Sequence, residues 1–153
     1  MSTPPYVGPE PAASHREIAN LIARYAELVD GGDFAGLGAL LADATFTGSG
    51  SPVSGAGAIE EMFRGTLIVY GDGTPRTKHV TTNLIVELDG DTAAARSYVT
   101  VYQALPELPL QPIAVGRYQD RFAWDGTRWR FAERRVHIDL VGDVSRHLRA
   151  AAG

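Results

Sequence analysis

The hydrophobic pattern of this chain changes period once, near residue 76, and that change limits the folds open to it. Before it, apolar residues recur at helical spacing: Ile18, Leu21, Ile22, Tyr25, Leu28 and Val29, then Phe34, Leu37, Leu40 and Leu41, then Ile59, Met62, Phe63, Leu67 and Tyr70. After it, "TKHVTTNLIVEL", "TAAARSYVTVYQAL", "IAVGRYQDRFAW" and "TRWRFAERRVHIDL" are rich in the β-branched and aromatic residues of strands. The first two strands join at "DGD" and the last two at "DG", where Asp and Gly accept the positive φ of a hairpin turn. Between the hairpins, "PELPLQP" is expected to be a loop, because proline cannot donate to a ladder. A short strand is expected at "ATFT", ahead of the third helix.

Three helices followed by an antiparallel meander is the α+β pattern in which helices gather on one face of a sheet. Long strands curl such a sheet into a cone, and the space between sheet and helices is the natural place for a ligand. Ser14 and Glu17 read as a capping box opening the first helix, Gly31-Gly32 as its end, and Asp33 as the cap of a second helix weakened by Gly36 and Gly38. Residues 1–13 hold four of the nine prolines and read as an extended arm. Residues 14–145 then form the domain and 146–153 a polar tail. At 153 residues and 44% hydrophobic content, one domain with one core is expected.

A net charge of -4 and the lack of any Lys/Arg run argue against nucleic acid as a partner. With no cysteine there is neither a disulfide frame nor a thiolate site. No apolar run is long enough for a membrane span and the N-terminus lacks a signal pattern, so a cytoplasmic protein is expected. The minimal residues of dinucleotide, phosphate-loop, serine-hydrolase and zinc-protease motifs are missing, so chemistry without a cofactor or metal, carried by acids, tyrosines and histidines, is expected.

His79 sits on a strand with Thr81, Asn83 and Ile85 on its own face and Val80, Leu84 and Val86 on the other. It is either an imidazole satisfied by a neighbouring hydroxyl or carbonyl, or a catalyst. Asp30 ends the first helix, facing the negative end of its macrodipole, a misfit of about 0.3 to 1 kcal/mol that a loop-edge residue or a functional one would explain. Tyr25 lies in the apolar stripe of that helix and its hydroxyl needs a partner. In "GRYQDRFAW", Asp120 shares a face with Tyr118, Phe122 and Trp124. It is either a buried carboxyl kept protonated as a donor or the partner of Arg130 or Arg134. His15 and His147 fall where exposure is expected. His137 and Asp139 share a strand face, a sparse set for a metal.

At "YAELVDGGDFAGLGALLADATF", "RTKHVTTNLIVELDGDTAAARSYVTVYQ" and "GRYQDRFAWDGTRWRFAERRV" the chain resembles the SnoaL-like branch of the nuclear transport factor 2-like superfamily, over about residues 14 to 145. The resemblance implies a cone-shaped cystatin-like fold, a deep pocket and a homodimer built on the sheet. Its members include dehydratases, isomerases, cyclases and noncatalytic subunits, so the fold does not give the activity. Set beside scytalone dehydratase, "VDGGDF" supplies a catalytic-pair aspartate at Asp30 and "RTKH" its histidine at His79. The water-holding tyrosines would fall at Val29 and near Ser49, and no second histidine lies in residues 104–124. Set beside ketosteroid isomerase, Tyr25 and Asp120 match the two oxyanion donors, while the general-base position falls at Gly48.

The resemblance therefore implies a lyase (dehydratase) or isomerase acting on a small hydrophobic or cyclic carbonyl compound, polyketide-like in character. Asp30 and His79 would be its general base, and Tyr25, Phe46, Tyr102 and Asp120 would surround the substrate. A noncatalytic ligand-binding or subunit-like protein of the same fold is the alternative.

Overall fold

A computed structural model describes residue 2 and residues 8–149. The arm over residues 3–7 and the last four residues of the expected tail lie outside the described residues. Three helices, α1 (Pro11–Asp30), α2 (Phe34–Leu40) and α3 (Ala56–Thr66), pack on a sheet of six strands: β1 (Thr45–Thr47), β2 (Val53–Ser54), β3 (Thr77–Asp89), β4 (Thr92–Leu105), β5 (Leu108–Trp124) and β6 (Trp129–Val141). The strand order is β2-β1-β6-β5-β4-β3, antiparallel throughout except that β1 runs parallel to β6. The α+β cone expected from the change of period is the observed architecture, with a mixed rather than a purely antiparallel sheet.

The first helix starts earlier than the capping box implied. Glu10 caps it, its carboxylate accepting from the backbone of Ala12 at 2.9 Å and Ala13 at 2.6 Å, with Pro11 in the first turn where its missing donor is not needed. Ser14 is buried within the helix instead of capping it, and Glu17 accepts from the backbone N–H of Trp129 at 3.0 Å. One core joins the apolar stripes of the helices to the inner face of the sheet, through Ile18, Ile22, Leu37, Ile59, Phe122 and Phe131 among others.

Asp33 caps α2 as expected, accepting from Gly36 at 2.8 Å. After α1 the chain turns at Gly32, whose φ of +71° and close approach to the backbone of Gly73 admit no side chain. That turn leaves Asp30 facing the start of β3.

Two strand expectations are corrected. Residues 109–112 belong to β5 rather than to a loop, since β4 and β5 pair as far as Leu105 and Leu108. Pairing with β6 begins only at Ala114, so Pro109 and Pro112 lie on an overhang with a neighbour on one side, where a missing donor is tolerated. In β3 the pairing slips between Thr82 and Ile85, and Asn83 takes φ of +55°. This bulge reverses the alternation, so Val86 and Leu88, not Ile85, continue the inward face that Thr77 and His79 begin.

Candidate active site

The end of α1 and the start of β3 bring two polar side chains together against the core. Asp30 Oδ1 accepts from His79 Nδ1 at 2.6 Å and from the Thr77 hydroxyl at 2.9 Å, while Oδ2 accepts from the backbone N–H of His79 at 2.8 Å. The two side chains are only 8% and 10% exposed. Burial pushes the Asp30 carboxyl up, but the hydrogen bonds and charge of His79, with the Thr77 hydroxyl, outweigh it and hold the group below its ordinary value. These contacts offset the unfavourable helix-end position read from the sequence. Because Nδ1 is engaged, Nε2 is the nitrogen turned away from the carboxylate, and the carboxylate fixes which tautomer the ring adopts.

His79 lines a cavity of about 500 Å³ between the helices and the sheet. Most of its wall is apolar: Phe46, Met62, Phe63, Val99, Val101 and Val136. The polar side chains that reach it are those of Tyr25, Ser49, Ser51, Thr66, Tyr118, His79 and His147. Such a wall suits a ligand with an apolar ring and a few oxygen atoms. Asp30 does not reach this cavity; it lines a second groove, which His79 also borders, with Glu27, Lys78 and Thr81.

Of the residues expected around the substrate, Tyr25 and Phe46 line the cavity and two do not. Tyr102 alternates with buried Val101 and Gln103 and so stands on the outer face of β4. Asp120 is fully buried, its oxygens accepting from Arg134 Nε at 2.9 Å and Nη2 at 3.2 Å, so the ion-pair alternative is the one observed. Burial pushes the Asp120 carboxyl up and the guanidinium opposes it; with Arg always protonated and bonded to both oxygens, the pair is ionic. Arg130 instead bonds Asp125 and Asp43 at the surface.

The same Arg134 packs against two rings, its Cζ 3.6 Å from the centroid of Tyr118 and 4.1 Å from that of Tyr25. Tyr118 and Tyr25 meet edge to face at 5.8 Å. Burial raises both phenols, that of Tyr118 to about 12, although Arg134 opposes the rise, so each keeps its proton at neutral pH. Tyr118 was not singled out from the sequence, though its place two residues before Asp120 on the inner face was the available signal.

His147 was expected to be exposed and is not. It is 7% exposed, lines the cavity, and stands with its ring centroid 6.3 Å from that of His79. No local pattern marks it, since the C-terminal segment folds back to pair Leu148 with Leu67. His137 bonds Gln119 at 3.1 Å and Asp139 pairs with Arg117 at 3.4 Å, each separately on the outer face.

A family description of a SnoaL-like domain matches residues 10–135. No curated protein matches the chain. Among solved structures, a protein of unknown function from Mycobacterium tuberculosis is 30% identical, covering 88% of this chain and 78% of its own, with a TM-score of 0.72. A nuclear transport factor 2-like protein with a cystatin-like fold from Novosphingobium aromaticivorans is 26% identical over 88% of this chain and 87% of its own, with a TM-score of 0.71. A candidate scytalone dehydratase from the same species is 19% identical over 87% of this chain and 89% of its own, with a TM-score of 0.70, a likeness of fold alone.

Proposed function

The chain belongs to the SnoaL-like family, and from that premise we propose that it is an enzyme, a lyase (dehydratase) or isomerase of a cyclic or polyketide-like carbonyl compound. His79 Nε2 removes a proton from the carbon next to the carbonyl, and Asp30 stabilises the imidazolium that forms. The electron pair of the broken C–H bond moves into an enolate whose oxygen accepts from the Tyr25 hydroxyl, with Tyr118 taking the second place once assigned to Asp120. In an isomerisation the imidazolium returns the proton to another carbon. In a dehydration a β-hydroxyl leaves as the enolate collapses, and the proton leaves with it as water.

The observation that carries this reading is the 2.6 Å contact between Asp30 and His79 on the wall of an apolar cavity. The test is deuterium uptake at the α-carbon of 1-tetralone in D2O, followed by proton NMR. His79→Gln, similar in reach but unable to titrate, is expected to slow uptake on the order of 10² to 10⁴-fold. Uptake as fast as in the native protein would remove His79 from the mechanism.

The second reading, a noncatalytic binder, is favoured by Gly48, which lines the cavity without a side chain where a ketosteroid isomerase would carry its base. It predicts that 1-tetralone raises thermal stability by mass action with no deuterium uptake.

A further inference from the structure

We propose that His147 is a binding residue of the same cavity, whose ring donates from Nε2 to a second oxygen of the substrate. The substrate class narrows accordingly, to cyclic compounds with two oxygen functions near the carbon that loses its proton. This rests on the cavity being the reaction site, and it adds a residue that lies outside the stretch matched by the family, which ends at residue 135.

The placement of His147 is built rather than incidental. Its backbone carbonyl accepts from Ile68 at 2.9 Å and its N–H donates to Val144 at 3.0 Å. The preceding carbonyl, of Arg146, accepts from Gln103 Nε2 at 3.0 Å and from the Tyr70 hydroxyl, and Arg149 donates to Thr66 at 2.9 Å. The backbone that carries the ring is thereby anchored, and the ring lines the cavity wall beside His79. Its Nδ1 is buried with no hydrogen-bond partner among the described residues, which leaves Nε2 as the nitrogen a ligand can reach.

An unpaired buried polar atom costs free energy, and a phenyl ring would fill the same space without that cost. A histidine here is therefore explained by what its other nitrogen does. Burial, reinforced by His79 and opposed by Asp30, pushes the His147 ring down to about 4, so at neutral pH it is an uncharged N–H donor. An uncharged ring also leaves His79 free to become an imidazolium without a cation beside it. The tyrosines serve the carbonyl oxygen, whereas His147, 6.3 Å from His79 between ring centroids, reaches an oxygen close to the deprotonated carbon.

The probes are 1-naphthol, a planar stand-in for an enolate with one oxygen, and 1,3-dihydroxynaphthalene, which adds a second. Titration calorimetry on the native protein is expected to show the diol binding about tenfold more tightly, the contribution of one hydrogen bond. In His147→Phe that preference should vanish while the affinity for 1-naphthol stays within about twofold. His147→Gln, which can still donate, should recover part of the preference and serves if the Phe variant does not fold. An equal preference for the diol in native protein and His147→Phe overturns the proposal, and so does failure of the native protein to bind either probe. The base assignment is judged separately by deuterium uptake in His79→Gln. Undiminished uptake with an intact His147-dependent preference removes only the base; lost uptake with a preference indifferent to His147 removes only this proposal.

Discussion

Arg134 and His147 are buried polar side chains with opposite histories of charge. The guanidinium cannot shed its proton, so it stays ionic and is met by Asp120 on one edge and by the rings of Tyr25 and Tyr118. The imidazole can shed its proton, and it does. The unfolded chain gives His147 its ordinary value of 6.5, whereas burial gives the folded chain a value of about 4. Between those two pH values the unfolded state binds the extra proton, so stability is full above about pH 6.5 and falls as the pH drops towards 4. The loss across that window should be roughly 3 kcal/mol. Asp30, held below the ordinary carboxylate value, contributes its own loss only at still lower pH, as its hydrogen bonds are protonated away. Urea midpoints at pH 7.5, 5.5 and 4.5 should therefore fall for the native protein and stay nearly level for His147→Phe. Parallel declines in both would assign the acid sensitivity elsewhere.

The second helix shows how an element can be misread from its composition. Gly36 and Gly38 lower its propensity, and on propensity alone Gly38→Ala should stabilise it by up to about 1 kcal/mol. A Cβ at Gly38 would instead lie 2.4 Å from the backbone oxygen of Ala56, at the start of α3. Backbone cannot step aside as a flexible side chain can, so the clash should win, and Gly38→Ala should lower stability by about 1 to 3 kcal/mol in urea denaturation. A rise in stability would mean that α2 and α3 separate freely.

The same distinction decides what else was legible. The helical stripes, the two hairpin turns and the Asp33 cap are local, and the structure has them where the sequence puts them. The early start of α1 depended on the Glu10 side chain, the strand character of residues 109–112 on where β6 stops, and the inward turn of Val86 on one residue in left-handed backbone. At the site, Asp30, His79, Tyr25 and Phe46 lie where the expected fold puts them. Tyr102, which the resemblance places around the substrate, stands on the outer face of its strand, and Asp120 is held by an arginine fourteen residues on. His147 required knowledge of a chain end that folds back across α3, which no spacing in the sequence records.

For the whole molecule, the sheet has two unlike faces. The inner one is closed by the helices. The outer one carries a row that crosses all four long strands, Val80 opposite Thr100, Thr100 opposite Val115, and Val115 opposite Leu140. Val80 is 42% and Leu140 65% exposed, and Tyr98, in the adjoining row beside Arg117 and His137, is 55% exposed. Contiguous apolar side chains on a sheet face, rimmed by charge, mark a surface that excludes water against a partner. A second copy of the chain is the partner we expect, in keeping with the homodimer that its family resemblance implies, because one self-complementary face then covers both patches. Sedimentation equilibrium at micromolar concentration should give twice the chain mass of 16.4 kDa. Tyr98→Glu with Leu140→Glu, which buries carboxylates in any such contact but leaves the inner face untouched, should give the single-chain mass with the cavity still binding 1-naphthol. A native protein that sediments as a single chain would leave the outer face to some other partner, and a double variant that stays dimeric would place the contact elsewhere on the surface.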